Sequence, residues 1–419
     1  MSELSYLEKL LDGVEVKWLP LGNVAEIYGG LTGKSKSDFE NGNARYVSYK
    51  KIFGYLDVND YPTDYVYISE GERQNEVRYG DVLFTGSSEI ADEAGMSSAV
   101  TVHFDESVYL NSFSFGIRFS NSIKIKPEFA KYLFRTHFMR SEIAKTASGV
   151  TRFNISKSRF KKILVPIICP NDPEKSLAIQ SEIVRILDKF TALTAELTAE
   201  FTAELNMRKK QYNYYRDQLL SFKEGEVEWK TLGEVAQYSK TRISFELLDE
   251  RNYVGVDNLL QNRAGKSLSN HVPTSGKLTE FIPNDILIGN IRPYLKKIWQ
   301  ADCIGGTNGD VLVIRCIDSS INTRYLYQIL ADDKFFEYNM QHAKGAKMPR
   351  GSKEDIMKYP IPVPPLTLQA RIVEILNKFD TLTNSITEGL PREIELRQKQ
   401  YEYYRDLLFS FPKPETVSN

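Results

Sequence analysis

Residues 179–194 read IQSEIVRILDKFTALT, and residues 368–383 read LQARIVEILNKFDTLT, the same pattern 189 positions further on. The match continues at the same spacing between RKKQYNYYRDQLLSF at 208–222 and RQKQYEYYRDLLFSF at 397–411. In both copies apolar residues return every three or four positions, which is the period of one face of an α-helix. The chain therefore contains two versions of one long helical segment.

The repeat extends well beyond these helical segments. Three further pairs match in the same order: EVKWLPLGNVAEI at 15–27 with EVEWKTLGEVAQY at 226–238, GDVLFTGSS at 80–88 with NDILIGNIR at 284–292, and SGVTRFNISKSRFKKILVPI at 148–167 with KGAKMPRGSKEDIMKYPIPV at 344–363. The offset shrinks from 211 to 189 residues, so the inserts between matched segments differ in length. This pattern favours two recognition units that share one scaffold but have different binding surfaces. The alternative is a gene duplication without functional meaning.

The two helical segments predict the architecture. No Gly or Pro interrupts 173–222, so this stretch predicts a helix of roughly 70 Å, whereas 366–411 contains Gly389 and Pro391, which should kink or divide it. Each apolar stripe is too narrow to bury itself, and we predict that the two helices pack as an antiparallel coiled coil.

The rest of the chain mixes short β-like runs with helical runs at 127–145 and 323–341, which predicts a mixed α/β (α+β) fold with an internal pseudo-twofold repeat. We predict the following domains: a globular domain at 1–172, a spacer helix at 173–222, a second globular domain at 223–365, a C-terminal helix at 366–411 and a tail at 412–419.

Composition sets the class of protein. The chain has 419 residues, 42% hydrophobic and 26% charged, which is typical of a water-soluble protein with at least two domains. No apolar run approaches the roughly 18 residues of a membrane span, so we expect a cytoplasmic protein. The net charge of −1 argues against indiscriminate nucleic-acid binding through a basic surface. Any DNA recognition must therefore depend on local patches.

No motif of this sequence predicts catalysis. GGLTGKS at 29–35 resembles a phosphate-binding loop but is one residue short, and a methyltransferase cofactor loop and catalytic tetrad are both missing. The Glu-x-Lys pairs at 15–17 and 228–230 have no Asp placed to complete a metal site. The three cysteines and four histidines lack the spacing of metal ligands. We predict a non-catalytic protein that binds no metal.

Basic residues at matched places in the two copies are the best candidates for DNA contacts. Residues 145–162 contain six Lys or Arg and no acidic residue, and residues 344–353 are the matching basic segment, ahead of a short helix that Ser352 should cap. A third patch lies at 290–297, where Arg292 could reach a guanine edge. Each of these cations could equally be an ordinary solvated charge. The candidate DNA-binding residues are Lys34, Lys36, Lys145, Thr151, Arg152, Asn154, Lys157, Arg292, Tyr294, Lys296, Lys344, Lys347 and Arg350.

The duplicated Trp-x-x-Leu-Gly entry, the Gln-x-x-Ile-Val-x-Ile-Leu helices and the paired YYRD ends resemble the specificity subunits of type I restriction-modification enzymes. The tract TALTAELTAEFTAEL at 191–205 resembles the subgroup with TAEL-type repeats in the central helix. The resemblance implies two target-recognition domains that read a bipartite double-stranded DNA sequence, with the helices fixing the unread spacer. It also implies docking of two modification subunits and of restriction/translocase subunits, which would carry S-adenosylmethionine, ATP and magnesium; no cofactor is expected on this chain.

Other functions remain open on the residues alone. The runner-up is a stand-alone sequence-specific DNA-binding regulator, against which the near-neutral charge argues mildly. A self-sufficient nuclease or methyltransferase lacks its motifs, and a coiled-coil scaffold without a DNA role does not explain why the inserts differ.

Overall fold

The computed structural model describes residues 6–223, 225–384 and 388–413. The N-terminal residues 1–5 and residues 414–419 of the predicted tail lie outside this description. The chain forms two compact units. Unit 1 comprises residues 1–195 and 398–419, and unit 2 comprises residues 196–397.

Unit 1 is a mixed α/β unit with short elements. Its strands are β1 Val16–Pro20, β2 Ala25–Gly29, β3 Ala44–Val47, β4 Asp57–Val58, β5 Asp64–Val66, β6 Val82–Thr85, β7 Ser87–Ser88, β8 Ser97–Val100, β9 Val108–Leu110, β10 Ser114–Phe119, β11 Ala147–Ser148, β12 Phe153–Ile155 and β13 Leu164–Ile168. Its helices before the central helix are α1 Tyr6–Leu11, α2 Leu21–Val24, α3 Tyr49–Gly54, α4 Pro127–Leu133, α5 His137–Ala144 and α6 Lys157–Phe160.

The main sheet of unit 1 has the strand order β2-β10-β6-β8-β4 and is covered on both faces. Along β6 the side chains alternate, so Val82 and Phe84 enter a core with α4 and α5, while Leu83 enters a second core on the opposite face. Because both faces are buried, the strand reads as a continuous apolar run. Smaller sheets, β1-β13, β5-β3-β9 and β11-β12-β7, complete the unit.

Unit 2 repeats this plan with shorter inserts. Its strands are β14 Glu228–Thr231, β15 Ala236–Tyr238, β16 Arg242–Ser244, β17 Tyr253–Val254, β18 Lys277–Phe281, β19 Ile286–Gly289, β20 Ile298–Gln300, β21 Gly305–Thr307, β22 Val311–Cys316 and β23 Pro360–Val363, and its short helices are α8 Leu232–Val235, α9 Thr323–Leu330, α10 Asp333–Gln341 and α11 Lys353–Ile356. The sheets are β14-β23, β15-β22-β19-β20 and β16-β18-β21-β17.

The strand registers confirm that the sequence repeat is a structural repeat. Trp18 of β1 lies opposite Pro166 of β13, and Trp229 of β14 lies opposite Pro362 of β23. β10 pairs with β2 and β6, and β22 pairs in the same way with β15 and β19. The matched sequences therefore build the same framework in each unit.

Each helical run that the sequence predicted after the main sheet is divided into two helices. Residues 127–145 form α4 and α5, and residues 323–341 form α9 and α10. The side chains of Thr136 and Asp332 accept hydrogen bonds from the N–H groups of Met139 and Lys334. These N-caps begin a new helix in each unit.

The long helices match the prediction in part. The helix α7 runs from Pro173 to Leu220 without interruption, while the C-terminal segment consists of α12 Leu366–Asn384 and α13 Leu390–Leu408. The sequence predicted that Gly389 and Pro391 would kink or divide this segment, and the helices are separate there. Gly389 has φ of +79°, and a Cβ there would lie 2.6 Å from the Thr381 carbonyl oxygen, so the turn requires glycine.

Each unit buries part of α7 and part of the C-terminal helices. In unit 1, Phe190 stacks on Tyr404 and Thr191 donates to the hydroxyl of Tyr401, so the two helices run antiparallel. In unit 2, Tyr212 of α7 stacks on Phe379 of α12 at 5.7 Å. The long helices pack together as predicted.

A buried aspartate–arginine pair is repeated at the same place in the two main sheets. Asp81 accepts hydrogen bonds from Arg118, Tyr28 and a backbone N–H. Asp285 accepts three from Arg315, two of them from the same Nε, and one from a backbone N–H. Both carboxylates follow a residue with positive φ, Gly80 or Asn284, which turns the chain into the strand. The pair locks the start of β6 and β19 against β10 and β22.

We expect Asp285→Asn to lower the free energy of unfolding by roughly 3 kcal/mol, because it leaves Arg315 without its charge partner beside the core. Chemical denaturation of the purified chain or its complex measures this change. Glu250→Gln, a charge removal at an exposed position of the same unit, is the control and should change stability by less than about 0.5 kcal/mol. Equal stability of the two variants would contradict the prediction.

Candidate nucleic-acid interface

Unit 1 presents part of the predicted basic segment on a tight hairpin. β11 and β12 pair antiparallel with Ser148 opposite Asn154, and β12 continues the sheet to β7. The connecting residues 149–152 begin with Gly149, whose φ is +144° and whose Cβ would lie 1.9 Å from the Arg152 carbonyl oxygen. Only glycine fits at this position. We call residues 147–155 the unit 1 hairpin.

The side chain of Arg152 extends from this hairpin toward an exposed aromatic ring. Its Nε donates to Ser87 Oγ at 3.0 Å, and its guanidinium lies 5.7 Å from the centroid of Phe113, a residue that is 61% exposed. This cation–π contact and the bond to Ser87 orient the guanidinium. Arg152 therefore combines a fixed position with an exposed face.

The loop next to β7 is held by a buried arginine. Arg140 of α5 donates to the carbonyl oxygens of Asp92, Ala94 and Gly95, and burial lowers the pKa of its guanidinium to about 10. Its five donors suit a cluster of carbonyl groups. The loop is thereby fastened to the core of unit 1.

The other predicted residues of unit 1 differ in how available their charges are. Lys34 is 6% exposed and contacts Glu72 at 2.6 Å, and the hydrogen bond from Lys34 is the first of several that lower the pKa of Glu72 to about 2. Lys145 pairs with Glu142 on the surface. Lys36 and Lys157 are exposed. Of this group, Lys36 and Lys157 have no acidic partner among the residues that the structure describes.

Unit 2 carries the matching hairpin. Lys344 and Arg350 exchange backbone hydrogen bonds of 2.9 Å at the position where Ser148 lies opposite Asn154 in unit 1, and Gly345 has φ of +104°. The side chain of Arg350 pairs with Asp310 at 2.7 Å. Lys344 and Lys347 are exposed, and neither has an acidic partner within the described ranges. We call residues 344–350 the unit 2 hairpin.

A strained turn lies beside this second hairpin. Arg292 and Lys296 both have left-handed backbones, with φ of 53° and 51°, around a short 3-10 turn at Pro293–Leu295. The N–H of Arg292 donates to Pro349 O at 2.7 Å, which connects the turn to the hairpin. A non-glycine residue in this region costs energy and persists only where its surroundings enforce it.

Asp333 anchors the other end of this turn. Its carboxylate pairs with Lys296 at 2.6 Å and with Arg263. Burial acts to raise the pKa of Asp333, but the bonds to these two cations outweigh it and lower the pKa. The turn is therefore bonded at both ends, and the side chains of Arg292 and Tyr294 are exposed on it.

Comparison with known proteins identifies the family. The family model described as "Type I restriction modification DNA specificity domain" matches residues 13–207 and again residues 224–396. The specificity subunit of the EcoR124I/EcoR124II type I restriction enzyme of Escherichia coli is 42% identical over 436 residues, covering all of both chains. This chain is a type I restriction-modification specificity subunit.

Further comparisons agree with this assignment. The specificity subunit of the EcoprrI type I enzyme of Escherichia coli is 34% identical over 425 residues, covering 93% of each chain. A chain solved in work on the assembly and conformational transition of a type I system has the same fold, with a TM-score of 0.61 at 16% identity over 94% of this chain and 97% of that chain. A specificity subunit is a DNA-binding, non-catalytic component of its enzyme.

The structure of this specificity subunit brings some predicted residues together and separates others. In unit 2, Arg292, Lys344 and Arg350 belong to one connected surface through the bonds between the turn and the hairpin. In unit 1, Arg152 and Asn154 share the hairpin, and Lys157 begins α6 just beyond it. Lys34 lies instead on a loop that is bonded to residues 72 and 74. Ser352 caps α11 as predicted, accepting from the N–H of Asp355.

Sequence reasoning missed several residues that shape these surfaces. Phe113 and Asp310 contact the hairpin arginines from 39 and 40 residues away, and Arg140 contacts Gly95 in the neighbouring loop from 45 residues away. Arg263 contacts Asp333, which anchors the strained turn, from 70 residues away. Within the described residues there is no group of three or more His, Cys, Asp or Glu that could hold a metal ion. No helix found there combines the length and the apolar character that crossing a membrane requires.

Proposed function

We propose that this specificity subunit reads a split double-stranded DNA target, with unit 1 on one half-site and unit 2 on the other. The observation that carries the proposal is the pair of hairpins. Both begin at a positive-φ glycine and stand on the same sheet framework, but the residues that follow are Val-Thr-Arg-Phe in unit 1 and Ala-Lys-Met-Pro in unit 2. One scaffold with two side-chain sets suits two different half-sites.

The proposed residues divide by chemistry. Arginine and asparagine can make bidentate hydrogen bonds to base edges, so Arg152, Asn154 and Arg292 are proposed to read bases, with Thr151 and Tyr294 beside them. Exposed lysines without acidic partners neutralise phosphates. The proposed phosphate contacts are Lys36, Lys157, Lys344 and Lys347. The remaining cations, Lys34, Lys145, Lys296 and Arg350, already pair with carboxylates and would support DNA contacts from the edge of the surface.

The central helix is proposed to set the distance between half-sites, as in the subgroup with TAEL-type repeats. From Thr191 to Gln211 no side chain of α7 is buried, while Leu187 before this stretch and Tyr212 after it both are. The tract therefore belongs to neither hydrophobic core. A segment with this property can change length without disturbing the packing of either unit.

The chain is proposed to act in the cytoplasm within a larger complex. Two modification subunits and restriction/translocase subunits would dock around it. Those partners would supply S-adenosylmethionine, ATP and magnesium, and this chain would supply the choice of sequence.

Methylation mapping tests the proposal. DNA from cells that express this chain with its cognate modification subunit is sequenced with long reads that detect methylated bases, and cells that express the modification subunit alone are the control. A bipartite methylated motif that requires this chain supports the proposal. A confirmed complex that methylates no split motif overturns it.

A further inference from the structure

Both hairpins present an apolar side chain to solvent at their tips. Val150 in the unit 1 hairpin is 92% exposed, and Met348 in the unit 2 hairpin is 52% exposed. Single exposed apolar residues are ordinary on protein surfaces. These two occur, however, in the matched four-residue turns of the two hairpins, Val150 at the second position and Met348 at the fourth.

Backbone contacts define the turn that carries each apolar side chain. At Gly149 the chain passes so close to the Arg152 carbonyl group that a Cβ would clash with it, and Phe153 of the following strand pairs with Ser88. In unit 2, the backbone bonds between Lys344 and Arg350 close the equivalent turn. An apolar residue on a short turn closed by backbone pairing loses less conformational entropy on binding than one on a long open loop.

Basic residues lie beside both apolar tips. Thr151 and Arg152 follow Val150, and the guanidinium of Arg152 stacks on the exposed Phe113. In unit 2, Lys347 precedes Met348 and Arg350 follows two residues later. A partner for such a surface combines negative charge at its edges with an apolar patch between them. The major groove of DNA has this arrangement, because phosphates line its edges and the 5-methyl group of thymine projects from its floor.

We propose that Val150 contacts the 5-methyl group of a thymine in the half-site read by unit 1, and that Met348 makes the corresponding contact in the other half-site. The inference rests on the proposed function, in which each unit reads one half-site. It assigns part of the sequence choice to van der Waals contact, in addition to the hydrogen bonds of Arg152 and Asn154. Each tip would then distinguish thymine from cytosine, which has no methyl group at this position.

The test is a double-mutant cycle between protein and DNA. The chain is purified in complex with its modification subunits, and its affinity is measured by fluorescence anisotropy on the mapped target. In parallel targets, each thymine of the unit 1 half-site is replaced by deoxyuridine, which lacks only the methyl group. We expect Val150→Ala and one such replacement each to weaken binding roughly three- to tenfold. Combined, they should weaken it no further than either change alone.

Met348→Ala provides a second cycle in the other half-site, and Leu247→Ala, at a residue that is 67% exposed outside both hairpins, is the matched control. Full affinity of Val150→Ala overturns the inference. A loss of affinity that no uracil replacement reproduces also overturns it, and so does a multiplicative effect of the two changes. Either result would mean that Val150 contacts something other than the thymine methyl group, such as a protein partner. These outcomes leave the bipartite motif intact, whereas failure of the proposed function would leave no split motif to test.

Discussion

Deletion of Thr198–Phe201 from the central helix is expected to abolish methylation of the original target. In its place a new target should be methylated, with the same two half-sites and a shorter unread spacer. Four residues shorten a helix by about 6 Å, nearly two base-pair rises of DNA, and turn it by only about 40° beyond one full turn. The apolar stripe of α7 therefore stays on its face while the length changes.

The packing of α7 explains why the deletion should spare folding. Ile183 and Leu187 are buried in the core of unit 1 and Tyr212 is buried in unit 2, but the side chains of the tract between them are exposed or half-buried. Methylation mapping of the variant complex measures the result. A length-preserving control, Thr198→Ala with Glu200→Ala, should retain the original motif. An unchanged spacer in a folded, active deletion variant would contradict the role of the helix as a ruler.

The long helix was predictable because its signal is local. After Pro173, which begins the helix, an apolar stripe without Gly or Pro runs to Leu220, and no tertiary contact is needed to recognise it. The break at Gly389 was equally predictable, because a glycine that can adopt a left-handed turn is followed two positions later by Pro391. The division of residues 127–145 was missed, since Thr136 resembles any other helical threonine until its side chain is seen to cap α5.

The candidate site was less predictable because its charges are set by distant partners. Lys34 looked like an available cation, but Glu72 neutralises it from 38 residues away. The backbone of Arg292 is left-handed although its neighbours Ile291 and Pro293 carry no such signal, and the bond to the Pro349 carbonyl group helps to hold it. Sequence repeats locate such surfaces, but only tertiary contacts show which side chains are free.

Reversing both free lysines of the unit 2 hairpin, with Lys344→Glu and Lys347→Glu, is expected to weaken specific DNA binding by the complex on the order of 100-fold at low salt. Each lost phosphate contact also removes one released counterion. The slope of log affinity against log salt should therefore become shallower by about 2. Affinity measured by anisotropy across a salt series gives both quantities.

The same charge change elsewhere separates local contacts from net charge. Lys209→Glu with Lys210→Glu alters two exposed lysines of α7, away from the hairpins in sequence, and should leave affinity for the target nearly unchanged. Because the altered hairpin lysines contact phosphates and not bases, binding should fall equally on matched and mismatched half-sites. If the hairpin reversal instead changed which sequence is methylated while keeping the salt slope, Lys344 and Lys347 would be base readers, and the division of labour between lysines and arginines would have to be reversed.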